Sequence, residues 1–170
     1  MTATKGMGAP AYDELAQRML AIQERLLAAK RTVASAESCT GGLLSAMLTE
    51  HGGSSGFYVG GAAVYSNEAK TTLADVPPQL IHSHGAVSSV VAAALARGAR
   101  MRLGADIGLG ITGIAGPGGA TPGKSVGLVY VAVDSDGHCA VRKCDWRFDR
   151  AGNRLASVGV ALDLLEDALR

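Results

Sequence analysis

Apolar residues first recur at helical spacing: Leu15, Met19, Ile22 and Leu26 form a stripe, and Leu20 and Leu27 widen it. This spacing predicts an amphipathic helix over 11–30. Residues 32–36 are short and β-leaning and read as a strand. Leu43, Leu44, Met47 and Leu48 place a helix over 41–50, ended by His51-Gly52-Gly53. After a loop at 54–56, residues 58–65 read as a strand weakened by Gly60 and Gly61. Residues 67–74 form a short helix, and Pro77-Pro78 either stops regular structure or opens a new helical turn. Ser88 is placed to cap an Ala-rich helix running to about 103. Gly alternates with Ile and Leu over 106–112, a strand, and 113–124 is a loop dense in Gly and Pro. Strands over 126–134 and 139–148 are joined by Asp134-Ser135-Asp136-Gly137, a hairpin signal. Asp149 caps a last helix that buries Leu155, Val158, Leu162 and Leu165.

The order αβαβααβββα implies crossovers with parallel pairing, closed by an antiparallel hairpin. The expected fold class is α/β: a three-layer α/β/α sandwich with one mixed sheet of about five strands. Residues 1–10 read as a disordered tail and 11–170 as one domain, with no repeat or linker. The small-residue face from Ala92 to Ala99 is suited to close packing on another helix of the domain. A homo-oligomer, a dimer above all, is expected from the prevalence of two-fold assemblies.

The 170 residues suffice for one compact core. Hydrophobic residues make up 48% and charged residues 18%, a globular balance. The net charge of +1 forms no basic stripe, and aromatics are only 4%, so nucleic acid is disfavoured as a partner. Cys39, Cys139 and Cys144 lack metal-ligand spacing, and their odd number suits a reducing compartment. The start has no signal-peptide pattern and no stretch is apolar enough to span a bilayer, so a cytosolic protein without a membrane partner is expected.

Four polar or Gly-rich segments fall at or near the ends of elements: 36–42, 65–70, 84–88 and 112–119. Ligands of α/β sheets bind at the carboxyl ends of strands, which suits them. Ser38 and Thr40 offer hydroxyls where a strand turns into a helix, and each also reads as a simple cap. Lys70 can act as a base only if burial or a nearby cation lowers its pKa; a solvent-facing Lys is the commoner outcome. Cys39 lies near a helix start but has no His in its own segment, although His82 or His84 can approach in space. Gly118 to Ser125 satisfies the spacing of a phosphate-binding P-loop. The residues after it read as a strand rather than the helix that motif requires, which disfavours a nucleotide triphosphatase.

Taken together, Ala36-Glu37-Ser38-Cys39-Thr40-Gly41-Gly42, Tyr65-Ser66-Asn67-Glu68-Ala69-Lys70, His84-Gly85-Ala86-Val87-Ser88 and Thr112-Gly113-Ile114-Ala115-Gly116-Pro117 stand in one order and spacing. That set resembles the CinA C-terminal domain family, which includes stand-alone PncC nicotinamide-nucleotide amidases, over about residues 12–169. The resemblance implies an α/β/α fold and hydrolysis of nicotinamide mononucleotide to nicotinate mononucleotide and ammonia, a step of pyridine-nucleotide salvage. It implies no cofactor and no metal. Longer members carry a molybdopterin-binding-like domain with pyrophosphatase activity, of which nothing carries over to this sequence. Where members often have Lys-Pro-Val-Gly, this chain has Lys124-Ser125-Val126-Gly127, a change in loop stiffness more than in chemistry.

The mechanism expected from these residues is attack by a hydroxyl on the carboxamide carbon. Ser38 is the preferred nucleophile and Thr40 the second, with direct attack by water as the alternative. Lys70 shuttles the proton. Tyr65 positions Lys70 or donates to the leaving amine, and Asn67 binds ribose or carboxamide. Glu37, Gly41 and Gly42 belong to the substrate side, with N–H groups at the Gly41-Gly42 helix entrance holding the oxyanion. Thr112, Gly113 and Gly116 approach the 5′-phosphate with their N–H groups. The rival expectation is a non-catalytic nucleotide-binding or partner module linked to competence or DNA-damage responses.

Overall fold

The computed structural model describes residues 8–170; most of the expected N-terminal tail, residues 1–7, lies outside them. The chain runs α1 (Tyr12–Ala29), β1 (Val33–Glu37), α2 (Leu43–Leu48), a 3-10 turn (Ser54–Gly56), β2 (Tyr58–Ala63), α3 (Asn67–Ala74), α4 (Pro78–His84), α5 (Ser89–Leu103), β3 (Ile107–Gly113), β4 (Leu128–Ser135), β5 (His138–Asp145) and α6 (Arg150–Asp167). The five strands form one mixed sheet in the order β2-β1-β3-β4-β5. β1 pairs in parallel with β2 and β3, while β3–β4 and β4–β5 are antiparallel. The sheet is sandwiched between helices, so the expected α/β class holds. Three helices rather than two separate β2 from β3, because Pro78 opens a helix at its first position, where a missing N–H costs nothing.

The two faces of the sheet carry different cores. Ile107, Leu109 and Ile111 of β3, with Val129, Val131 and Val133 of β4, meet α1, α2 and α6. Ala34 and Ala36 of β1 turn the other way, toward Val91, Leu95 and Ala99 of α5. Ala92 and Ala96 of α5 rest on the sheet beside Ala132, while Gly98 lies against the carbonyl of Ala74 in α3. A Cβ added at Gly108 or Gly110 would strike the carbonyls of Ala96 or Ala92, so the alternating glycines of β3 let α5 approach. In α1 the stripe is narrower than its periodicity suggests. Met19, Ile22 and Leu26 are fully buried, but Leu20 and Leu27 are exposed because only one side of α1 meets the sheet. No helix among the described residues is long and apolar enough to cross a membrane.

This topology gathers chain ends at one edge. Parallel β1, β2 and β3 all finish on the same side. β5, antiparallel to β4 and hence running with β3, delivers the start of α6 there too. Helices α3, α5 and α6 each begin under a side-chain cap: Ser66 accepts from Ala69 N (3.0 Å), Ser88 from Val91 N (3.4 Å) and Asp149 from Gly152 N (2.7 Å).

Candidate active site

At the end of β1 the chain turns into α2 through Ser38–Gly42. Glu37 is fully buried. Its carboxylate accepts from Gly42 N (3.1 Å), Leu44 N (2.9 Å), Ser45 N (2.8 Å) and Ser45 Oγ (2.7 Å). A helix start leaves its first N–H groups without partners, and here one carboxylate takes them. The expectation that this entrance holds an oxyanion is therefore corrected. Gly42 N is committed to Glu37, and Gly41 N donates to Ser38 O (3.1 Å). Neither glycine nor Glu37 lines the cleft described next. Their work is to fix the turn that carries Ser38.

A cleft of about 290 Å³ opens at the carboxyl ends of the parallel strands. It brings together Ser38, Tyr65, Asn67, Lys70, Thr112, Gly113 and Gly116 from the expected set. Thr40 is not part of it. That residue is fully buried, its Oγ1 has no hydrogen-bond partner, and its carbonyl accepts from Arg154 (2.6 Å). Of the two candidate nucleophiles, only Ser38 lines the cleft. Thr112 Oγ1 donates to Ala86 O (2.7 Å), so its hydroxyl holds the segment before α5.

Lys70 sits in α3 with only 2% of its surface exposed. Its Nζ donates to the carbonyls of Tyr65 (3.2 Å) and Ser66 (3.3 Å), leaving one of three N–H donors uncommitted. No carboxylate pairs with it among the described residues. Burial lowers its pKa below the usual lysine value, opposed by Cys39 and Glu68. Desolvation without a counter-ion favours the neutral amine, the form that accepts a proton. The phenol of Tyr65 does not hold Lys70; the backbone carbonyl does. The ring is 60% exposed, and its hydroxyl accepts from Arg150 (3.2 Å).

Cys39 also lines the cleft, but burial pushes its thiol up to about 11, away from a reactive thiolate. Neither His82 nor His84 reaches the cleft; His82 lines a separate hollow with Asn67, Glu68 and Thr72. The P-loop-like segment leads into β4, not a helix, and Lys124 Nζ is tied to His84 O (2.9 Å).

Sequence reasoning missed two arginines at the start of α6. Arg150 lines the cleft and donates to Gly116 O (2.6 Å), and Arg154 secures the turn at Thr40. A signal did exist. Arg150 is the first residue of α6, where a cation opposes the helix dipole, and a locally unfavourable choice marks a site with another duty.

Comparison with known proteins agrees with this architecture. The family model of the CinA C-terminal domain matches residues 15–169. A CinA-like protein of Mycolicibacterium gilvum is 51% identical over 148 residues, 86% of this chain and 35% of that protein. One from Acidobacterium capsulatum is 53% identical over 138 residues, covering 81% and 33%. The chain thus spans about a third of the length of the curated relatives it matches. Among solved structures, the competence/damage inducible protein CihA of Agrobacterium tumefaciens superposes with a TM-score of 0.88 at 35% identity, covering 97% of this chain and 99% of that one. A CinA superfamily protein of Escherichia coli gives 0.88 at 30% identity, covering 96% and 95%. On sequence and on fold alike, the chain belongs to the CinA C-terminal domain family.

Proposed function

We propose that the chain hydrolyses the carboxamide of nicotinamide mononucleotide, giving nicotinate mononucleotide and ammonia. The observation that carries the chemistry is Lys70: buried, without a carboxylate partner, in the same cleft as the hydroxyl of Ser38. The choice of substrate follows from the family resemblance.

In the first half-reaction the neutral Lys70 amine takes the proton of Ser38 Oγ as the oxygen bonds to the carboxamide carbon. The lysine becomes an ammonium, and its charge in a desolvated site offsets the developing oxyanion. It then returns the proton to the amide nitrogen, the C–N bond breaks, and ammonia leaves an ester on Ser38. In the second half a water molecule attacks that ester with Lys70 as base, releasing the carboxylate and restoring Ser38. Asn67, on the same wall, is placed to orient the ribose or the carboxamide.

Ammonia release by the purified chain tests this reading. Wild type turns over the mononucleotide, and Lys70→Met and Ser38→Ala each lose at least about a thousandfold in kcat. Lys70→Met at near wild-type rate overturns the mechanism. Tight mononucleotide binding with no ammonia from wild type favours a non-catalytic module.

A further inference from the structure

The P-loop-like run from Gly118 to Ser125 falls in the loop that joins β3 to β4, and the proposed chemistry leaves its lysine without a task. The loop is fastened at its base, where Ile114 N donates to Leu128 O (2.9 Å) and Gly127 N to Ile114 O (2.7 Å). Arg150 holds Gly116 O (2.6 Å). At the tip, Thr121 and Lys124 exchange two backbone hydrogen bonds of 2.9 Å. Between these points, residues 117–120 make no hydrogen bond among the described residues. From 117–124, the one hydrogen bond that reaches the rest of the described fold is Lys124 Nζ to His84 O (2.9 Å). We infer that this bond is a latch: Lys124 is a positioning residue that ties the loop tip to the end of α4 and sets the spacing of two segments lining the cleft. The inference deepens the amidase reading and rests on it for the identity of the ligand.

Gly116, Gly118 and Gly119 line the cleft from the loop, and Ala86 and Val87 line it from the segment after α4. That second segment is well fixed. Thr112 Oγ1 donates to Ala86 O (2.7 Å) and Ser88 Oγ to Gly85 O (2.9 Å). The loop tip has no such support and takes its place from Lys124. Local chemistry makes the bond possible. His84 is the last residue of α4, where carbonyls lack helical partners and the dipole favours a cation. Gly85 follows with φ 76°, a conformation that favours glycine. A Cβ at Gly85 would lie 2.6 Å from Lys124 Nζ, so the lysine passes over bare backbone. The tip itself is loose chain, with glycine at 118, 119 and 123. Such a segment must be ordered whenever a ligand binds, and a latch meets that cost beforehand. Neither Lys124 nor His84 lines the cleft, so the lysine acts through the loop and not on the reacting atoms.

The test compares wild type, Lys124→Met and the double variant Lys124→Met/Ser125→Pro. Amide hydrogen exchange is read at Thr121 and Gly85, and steady-state ammonia release from nicotinamide mononucleotide alongside. Lys124→Met keeps the apolar stem and removes the donor. Ser125→Pro supplies stiffness without charge; Ser125 N donates to nothing among the described residues, so proline costs no hydrogen bond there. In Lys124→Met, exchange should quicken by about threefold or more, and KM should rise about three- to tenfold, the range of one net hydrogen bond. Its kcat should stay within about twofold, with the pH profile of kcat unmoved, because Lys70 is anchored separately on Tyr65 O and Ser66 O. The double variant should recover much of the lost KM. Unchanged exchange at both amides overturns the latch, and quickened exchange with an unchanged KM overturns its positioning role. A raised KM that proline does not recover also overturns it, since the lysine would then act by touching the ligand. If wild type releases no ammonia, calorimetric titration of nicotinate mononucleotide replaces KM. Binding weakened by Lys124→Met and recovered by proline would then overturn the amidase reading and leave the latch standing.

Discussion

Replacing Glu37 by Gln changes one oxygen into an NH2 group and separates structural from substrate-binding roles for this residue. In the native turn Oε2 accepts from Gly42 N and Leu44 N, and Oε1 from Ser45 N and Ser45 Oγ. With its NH2 on the Oε2 side the amide faces two N–H donors; on the Oε1 side it faces Ser45 N while Ser45 Oγ can turn to accept from it, so one or two hydrogen bonds to a charged acceptor are lost. At about 1.5–3 kcal/mol each, the loss is about 1.5–6 kcal/mol. Domains of this size are stable by only about 5–15 kcal/mol, so the variant stands near its unfolding threshold. Urea unfolding at pH 7, followed by circular dichroism, reads the effect directly. With slopes of about 1.5–3 kcal/mol per molar, the midpoint falls by roughly 0.5–4 M. A variant less than about 1 kcal/mol weaker than wild type, yet with a raised KM for the mononucleotide, would refute the reasoning. Glu37 would then be a substrate contact, not the anchor of the turn at Ser38.

Lys70→Met should abolish turnover yet stabilise the fold, since it removes an amine whose charged form burial disfavours and that meets no carboxylate among the described residues. Because the folded-state pKa of Lys70 lies below its ordinary 10.5, the unfolded chain holds that proton more tightly. The wild-type penalty is therefore full below the folded value and fades as pH rises toward 10.5. Thermal melts should show the advantage of Lys70→Met largest in mildly acid buffer and vanishing near pH 10; a constant difference contradicts this. Gly118 lines the cleft without a positive φ, and a Cβ there meets nothing within 4 Å. Gly118→Ala should keep or raise stability by up to about 1 kcal/mol while raising KM for the mononucleotide, because only a bound ligand needs that space. Unchanged kinetics would remove Gly118 from the binding wall.

Features carried by local chemistry were legible in the sequence. The caps Ser88 and Asp149, the Asp136-Gly137 hairpin and the exact span of α3 follow from turn and helix-start preferences within a few residues. The cleft lining from Ser38, Lys70 and Tyr65 was legible because each follows a strand of a parallel sheet. What stayed hidden depends on pairings far apart in the chain. Nothing local shows that Leu20 and Leu27 face solvent. The burial of Glu37 beneath α2 hid its commitment to N–H groups that looked free. Arg150 joins the cleft only because β5 runs in the same sense as β3, a consequence of two successive antiparallel pairings.

The central claim is that burial makes Lys70 the base for Ser38. The pH dependence of kcat/KM for ammonia release from nicotinamide mononucleotide tests it most directly. The account predicts an ascending limb, reporting loss of the Lys70 proton, with its midpoint below 10.5. A rate that keeps climbing to that ordinary lysine value, or one flat across the range, would contradict it.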